Sequence, residues 1–225
     1  MSGAGIDPRT TTAAADRRLS SDTIAAARRF SSATFHEANG KRGALPAAIK
    51  PVDPGFRVCG PALTVQSPGG DNLWLHRALD VAEPGHVLVV DVGGVFEHGY
   101  WGEIMSTAAC TVGLQGLVIN GCVRDGQLLP KIGFPVFCRG LCIRGTGKDF
   151  DARGFINYPL LMGDVIIQPG DLIVGDGDGV VCVSADAAPD VVVAAGQREA
   201  DEAALLERLT RGEKTLDVYG WRRRP

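Results

Sequence analysis

The segment Gly116-Leu117-Val118-Ile119-Asn120-Gly121-Cys122-Val123-Arg124-Asp125-Gly126 starts as a short apolar run and ends on an adjacent cation and acid. An uncharged run of this length, closed by an Asn-Gly pair, reads as a strand followed by a turn. Arg124 and Asp125 then fall in the loop that leaves the strand's carboxyl end.

Upstream, the same kind of run recurs over residues 62–66 and 86–91, and helical patterns over 72–81 and 103–112 separate the runs. Strand and helix alternating in this way predict an α/β sheet. Downstream of Pro135 the pattern becomes mostly strands, over 135–138, 165–167, 172–174 and 180–183, with Pro-Gly-Asp and Asp-Gly-Asp-Gly turns between them. This half reads as a β-rich layer closing over the first. Ser21 or Asp22 suits the cap of a helix over residues 24–30, and a second helix over 34–38 stops at Asn39-Gly40. A charged amphipathic helix over 189–211 is followed by Leu216, Tyr219 and Trp221, which suits packing on a neighbouring subunit. The expected fold is a layered α/β sandwich around a central mixed sheet, with an N-terminal helical arm. Residues 1–20 read as a disordered tail and 21–225 as one domain.

Composition narrows the function. The 225 residues are 45% hydrophobic, enough for one sizeable core. With 23 basic against 26 acidic residues spread along the chain, no extended positive surface for nucleic acid is expected. The run Arg222–Arg224 is too short to alter that and reads as a solvated tail. No apolar run approaches the ~20 residues of a membrane span, and the first twenty lack a secretion signal's apolar stretch. A cytoplasmic protein is expected. The six cysteines lack paired zinc spacing and read as reduced, structural thiols. Cys138 and Cys142 are placed on one face of an alternating strand over residues 135–143.

Ligands of an open α/β sheet collect outside the carboxyl ends of the strands. Gly102, Glu103, Ile104 and Met105 open a helix there, and free backbone N–H groups at such a start suit a carboxylate; a plain helix start is the other reading. Arg124 and Asp125 supply a fixed cation and a hard oxygen donor. Magnesium favours such sites because it keeps waters and takes one or two carboxylates, although a surface ion pair has the same sequence. Asn72, in Gly69-Gly70-Asp71-Asn72, reads equally as a ligand contact or a helix cap. Lys148 in Gly145-Thr146-Gly147-Lys148 is placed to offset substrate charge, without the full phosphate-loop pattern. Asp176 and Asp178 read as a hairpin turn, since a calcium loop's downstream acid is missing. The four histidines share no metal-ligand spacing, and His98 alone is considered for the pocket.

Taken together, these segments resemble the 4-hydroxy-4-methyl-2-oxoglutarate / 4-carboxy-4-hydroxy-2-oxoadipate aldolases of the ribonuclease E activity regulator A-like (RraA-like) family. The matching stretches are residues 34–40, 69–72, 99–105, 116–125 and 212–220. The family pattern places an Asp, twenty intervening residues and then Arg-Asp; here Glu103 takes the first position, twenty residues ahead of Arg124. The resemblance implies that the backbone of residues 102–105 binds a pyruvyl carboxylate, that Arg124 contacts the oxo group and that Asp125 holds a divalent cation, Mg2+ or Mn2+. It also implies a homotrimer or homohexamer with sites between subunits, for which Glu199 and Glu202 are the candidate acids from a neighbour.

The expected activity is retro-aldol release of pyruvate from a 4-hydroxy-2-oxo acid, with oxaloacetate decarboxylation through the same enolate; the base remains unassigned. Two rivals stand beside it. One is a non-catalytic binding protein of the regulator type, which has no need of the Arg-Asp pair, and the other is a related lyase or decarboxylase on another oxo acid.

Overall fold

The computed structural model describes residues 19–222 together with Thr12. Most of the expected tail, and the last two arginines of the basic run, therefore lie outside the described residues.

Helices α1 (Ser21–Ala27) and α2 (Ser32–Ala38) open the fold, each capped by the serine before it. The Ser20 hydroxyl accepts the N–H of Thr23, and the Ser31 hydroxyl that of Thr34. The cap of α1 is thus Ser20 rather than Ser21 or Asp22. The helix also stops three residues before Phe30, because the Arg29 and Phe30 amides tighten onto Ala26 and Ala27. Next come β1 (Lys50–Pro51), β2 (Val58–Gln66), α3 (Leu73–Val81), β3 (Val87–Asp91), α4 (Glu103–Val112) and β4 (Gly116–Asn120). They lead into β5 (Cys122–Val123), α5 (Leu129–Ile132), β6 (Val136–Cys138), β7 (Gly140–Leu141) and β8 (Phe155–Ile156). The last elements are β9 (Leu160–Met162), β10 (Val165–Ile167), β11 (Leu172–Asp176), β12 (Gly179–Val183), α6 (Ala188–Thr210) and α7 (Thr215–Val218).

Strands β2, β3, β4 and β6 run parallel, with α3 and α4 as crossovers. Gln66, Asp91 and Asn120 stand level in this register, so the chain leaves β2, β3 and β4 along a single edge. Alternate residues feed two cores. Leu63, Val65, Leu88, Val90, Leu117 and Ile119 pack with Trp74, Leu75, Ala78, Met105 and Ala109 of α3 and α4. Ala62, Val87, Val89 and Val118 point the other way, into a core with Phe137, Leu160, Met162, Ile167 and Ile173. Burial on both faces explains why β3 and β4 carry no inward-outward alternation.

The β-rich half does not form a separate layer. β11 pairs with the first half of β2, and β12 with β11, so both extend the same sheet. That sheet, β1-β6-β4-β3-β2-β11-β12, curls until its ends nearly meet. The Leu45 amide donates to Val180 O (2.9 Å) and the Cys182 amide to Gly43 O (2.8 Å), while the chain runs on into β1 at the opposite edge. The Lys50 ammonium, donating to the Asp178 carbonyl in the β11–β12 turn, ties the two ends. The β9–β10 hairpin covers the interior through Leu160, Met162 and Ile167. The alternating strand expected through residue 143 is broken after Cys138 by Gly140, at φ 151°, so Cys138 and Cys142 share no strand face. All six cysteines are unpaired, and Cys110 is exposed.

Outside the curl, α1, α2 and α6 pack through Ala27, Phe30, Phe35, Val191 and Ala195 against Leu172, Val174, Val181 and Val183. No helix among the described residues is long and apolar enough to cross a membrane.

Asp176 anchors α2 to the β11–β12 hairpin. Its carboxylate accepts the Ser32 hydroxyl (2.6 Å), the Ser32 amide (2.8 Å) and the Asp178 amide (3.1 Å). Burial pushes this carboxyl up, but those hydrogen bonds, with Arg57 nearby, outweigh it and hold the pKa below the ordinary value. Such a group stabilises the fold above its unfolded pKa of about 3.9, and the contribution is lost as pH falls through the folded pKa. Asp176→Asn is therefore expected to cost about 1–3 kcal/mol in urea unfolding at pH 7. The gap to wild type should close as the pH is taken below about 4.

Candidate active site

The carboxyl edge of β2, β3 and β4 is braced by a buried polar chain. Asp91 accepts Gln66 Nε2 (3.0 Å), the Gly93 amide (2.9 Å) and Asn120 Nδ2 (2.9 Å), and Asn120 Oδ1 accepts Arg139 Nε at 2.7 Å. Asp91 is thereby consumed in holding the edge rather than open to a ligand.

Beyond this brace, residues 99–102 run beside β5. The Tyr100 amide donates to Cys122 O (3.1 Å) and the Arg124 amide to Trp101 O (2.9 Å). The approach is so close that a Cβ on Gly99 would stand 2.6 Å from the Cys142 carbonyl, and one on Gly102 2.3 Å from Asp125 Oδ2. Asp125 itself sits at φ 61°, a left-handed conformation that Asp tolerates better than most residues. This turn aims its carboxylate at the start of α4, where Oδ2 accepts the Glu103 amide at 3.0 Å. Helix α4 has no side-chain cap of its own, Gly102 being its N-cap residue. Asp125 thus caps it from another loop, and among the described residues the Ile104 and Met105 amides have no partner.

A cavity of about 260 Å³ opens here, lined by Gly102, Ile104, Met105, Arg124 and Asp125. Asn72, His76 and Lys148 line it too, and Asn72 Nδ2 lies 3.6 Å from Met105 Sδ. The ambiguity over Asn72 resolves against the cap, because Asp71 Oδ1 caps α3 by accepting the Leu73 amide at 2.7 Å. Asn72, buried at 6% exposure, instead donates to Tyr100 O (2.8 Å) and accepts Lys148 Nζ (2.8 Å). The loop bearing Lys148 is held in place by Gly147 N to Gly70 O (2.7 Å) and Asp149 N to Asp71 Oδ2 (2.6 Å). Lys148 is therefore a positioned cation. His76 is half-buried; burial and Lys148 push its pKa down, against the opposing pull of Asp80 and Asp71.

Of the residues singled out from sequence, Asn72, Gly102, Ile104, Met105, Arg124, Asp125 and Lys148 line this one cavity. Glu103 contributes its backbone amide, while its side chain is exposed and outside the lining. Glu199 and Glu202 lie on α6; Glu199 is exposed, and Glu202 pairs with Arg198 at 2.7 Å. Neither lines the cavity within this chain. His98 packs by Tyr100, at 5.8 Å between ring centroids, and is also absent from the lining. Sequence reasoning missed His76, although its four-residue spacing from Asn72 on a helix places the two on one face. With Arg124 and Lys148 set against Asp125 alone, and two free amides at a helix start, the cavity suits an anion. Among the described residues no cluster of three or more His, Cys, Asp or Glu is arranged for a metal.

Residues 12–182 match the model of the RraA-like family, described as Aldolase/RraA. A Halalkalibacterium halodurans protein provisionally named 4-hydroxy-4-methyl-2-oxoglutarate aldolase is 37% identical over 175 residues, 78% of this chain and 82% of that protein. An uncharacterized Methanocaldococcus jannaschii protein is 35% identical over 179 residues, 78% of this chain and 85% of its own length. Among solved structures, an uncharacterized protein from Pseudomonas syringae pv. tomato superposes with a TM-score of 0.79 at 29% identity, covering 90% of this chain and 94% of that one. Streptomyces coelicolor RraAS2, described as an unusual member of the RNase ES inhibitor RraA protein family, gives 0.72 at 30% identity, covering 85% and 100%.

The packing of residues 99–102 on Asp125 has a direct test. Gly102→Ala and Gly99→Ala are each expected to destabilise by about 1–3 kcal/mol in chemical unfolding, because a Cβ has no room. Gly145→Ala, whose Cβ would meet nothing within 4 Å, should stay within about 0.5 kcal/mol of wild type.

Proposed function

The chain belongs to the RraA-like family, and on that footing we propose that it is a carbon–carbon lyase releasing pyruvate from 4-hydroxy-2-oxo di- or tricarboxylates. Candidate substrates are 4-hydroxy-4-methyl-2-oxoglutarate and 4-carboxy-4-hydroxy-2-oxoadipate, with oxaloacetate decarboxylation as a second outcome of the same enolate chemistry. The observation that carries the reading is the single cavity lined by the open start of α4, Arg124, Asp125 and Lys148. A regulator that binds elsewhere on its surface requires no such convergent set of anion-binding groups.

The Ile104 and Met105 amides bind the substrate's C1 carboxylate. Arg124 faces the 2-oxo group, where negative charge gathers as the C3–C4 bond breaks; an interaction that strengthens with that charge accelerates the step. Lys148 offsets a distal carboxylate and, braced by Asn72, is oriented before substrate arrives. Asp125 is the residue that would hold Mg2+ or Mn2+. One carboxylate oxygen is taken by the Glu103 amide and the other has no partner among the described residues, a donor set that fits an ion keeping most of its waters. Bound there, the cation supplies Lewis-acid polarisation of the 2-oxo group. We place the active assembly as a homotrimer or homohexamer in which Glu199 or Glu202 of a neighbouring copy approaches this mouth.

The test is pyruvate release from 4-carboxy-4-hydroxy-2-oxoadipate and from oxaloacetate, with magnesium, with manganese and with chelator. Metal-dependent pyruvate is expected from both, and its absence from both would sink the proposal. Asp125→Ala should abolish the metal dependence. Arg124→Ala should lower kcat by more than ~10²-fold; near-normal turnover of both variants would remove the pair from the site.

A further inference from the structure

Cleavage of a 4-hydroxy-2-oxo acid requires that the 4-hydroxyl lose its proton as the C3–C4 bond breaks. We propose that His76 accepts that proton, an inference that rests on the lyase reading above. Two observations carry it, the place of His76 in the cavity and the state of every other titratable group lining it.

Asn72 and His76 stand one helical turn apart at the start of α3, on the face turned to the cavity. The Asn72 side chain is fixed between Tyr100 O and Lys148 Nζ, both at 2.8 Å, so this wall is rigid where His76 joins it. Arg124, Asp125 and the α4 start line the same cavity. A substrate whose carboxylate and 2-oxo group engage those groups occupies the cavity that Lys148 and His76 also line.

Every other lining side chain lacks a basic lone pair or has it assigned to another role in this reading. Arg124 and Lys148 are cations with nothing to accept a proton. Asp125 holds the Glu103 amide and is the proposed cation ligand. The Tyr100 hydroxyl accepts the Gly70 amide at 2.7 Å and donates to Val95 O, and burial pushes its pKa up. The His76 ring has no hydrogen-bond partner among the described residues, so a ring nitrogen is available. The charged groups acting on it are Lys148 from the facing loop, Asp80 from its own helix and Asp71 from the preceding turn. Burial and Lys148 prevail, which keeps the imidazole neutral and able to accept at neutral pH.

The electron balance is closed within the substrate. As the proton passes to the imidazole, the O–H electrons form the C4 carbonyl, the C3–C4 bond breaks, and its electrons form the C2–C3 enolate with charge on the oxygen beside Arg124. Solvent protonates C3 to give pyruvate, and the imidazolium returns its proton to solvent. Oxaloacetate decarboxylation forms the same enolate without a hydroxyl proton to remove, so it makes no demand on His76.

That difference supplies the experiment. The ratio of kcat for cleavage of 4-carboxy-4-hydroxy-2-oxoadipate to kcat for oxaloacetate decarboxylation is measured in wild type, His76→Gln and His76→Ala. The ratio does not depend on how much variant folds. It is expected to fall by about 10²-fold or more in both variants, the usual contribution of a positioned acid–base group. In wild type, kcat/KM for cleavage should decline on the acid side with an apparent pKa below the ordinary imidazole value of about 6.5, and the decarboxylation profile should lack that limb. An unchanged ratio, or an acid limb common to both reactions, overturns the role of His76 while leaving the lyase standing. No pyruvate from either substrate with wild type overturns the lyase reading and this inference with it.

Discussion

One hydrogen bond holds the cavity's working wall together: the Glu103 amide donating to Asp125 Oδ2 at 3.0 Å. It joins the helix that follows β3 to the loop that follows β4, the two connections that leave the sheet side by side. Everything around it is shaped to permit it. Asp125 takes a left-handed backbone to turn its carboxylate inward, and Gly102 has no Cβ because one would stand 2.3 Å from that oxygen. A helix normally recruits its cap from the residue just before it. Here that position is glycine and the cap comes from Asp125, twenty-two residues beyond Glu103, which leaves the Ile104 and Met105 amides open to a ligand instead of to a local side chain.

The part of the cavity lined by Asn72 and Lys148 depends on a parallel division of labour. Asp71 caps α3, and so Asn72, one residue later, is released to brace Lys148 against Tyr100 O. The two parts meet at Tyr100, whose carbonyl anchors Asn72 and whose hydroxyl receives the Gly70 amide. Hydrogen bonds to charged groups contribute about 1.5–3 kcal/mol each, enough here to fix a lysine that would otherwise sample many rotamers. The result is a cavity with Lys148 in place and a carboxylate whose second oxygen is uncommitted among the described residues. Such preorganisation is what lets charge stabilisation act in a transition state without reorganisation at the moment of reaction.

The parallel core of the fold was legible from sequence because its strands are short apolar runs closed by Asn-Gly, Asp-Val-Gly-Gly or Pro-Gly signals, and helix 103–112 matched to the residue. The curl of the sheet was not legible. It rests on Lys50 reaching the Asp178 carbonyl and on residues 43–45 lying along β12, contacts between segments more than a hundred residues apart. Two-residue strands such as β5, β7 and β8 carry too little pattern to be seen, and the single residue Gly140 broke a strand that hydrophobic alternation had favoured. The near wall of the site could be read because Arg124-Asp125 and residues 102–105 are local motifs. His76 escaped because its significance comes from a loop 72 residues downstream folding back to set Lys148 beside it.

Glu103 sharpens what matters at this position. Where the family pattern carries Asp, the longer acid here keeps its side chain exposed in the first turn of α4 and outside the cavity lining. Its indispensable atom is the backbone nitrogen, which any residue but proline would supply to Asp125. A negative charge in the first turn complements the helix dipole and favours α4, but the same charge near the mouth opposes the approach of a dianionic substrate. Arg124 and Lys148 outweigh it, being two cations on the lining itself. With its amide committed to Asp125 and its side chain exposed, Glu103 bears on the wall through its backbone and on the entrance through its charge.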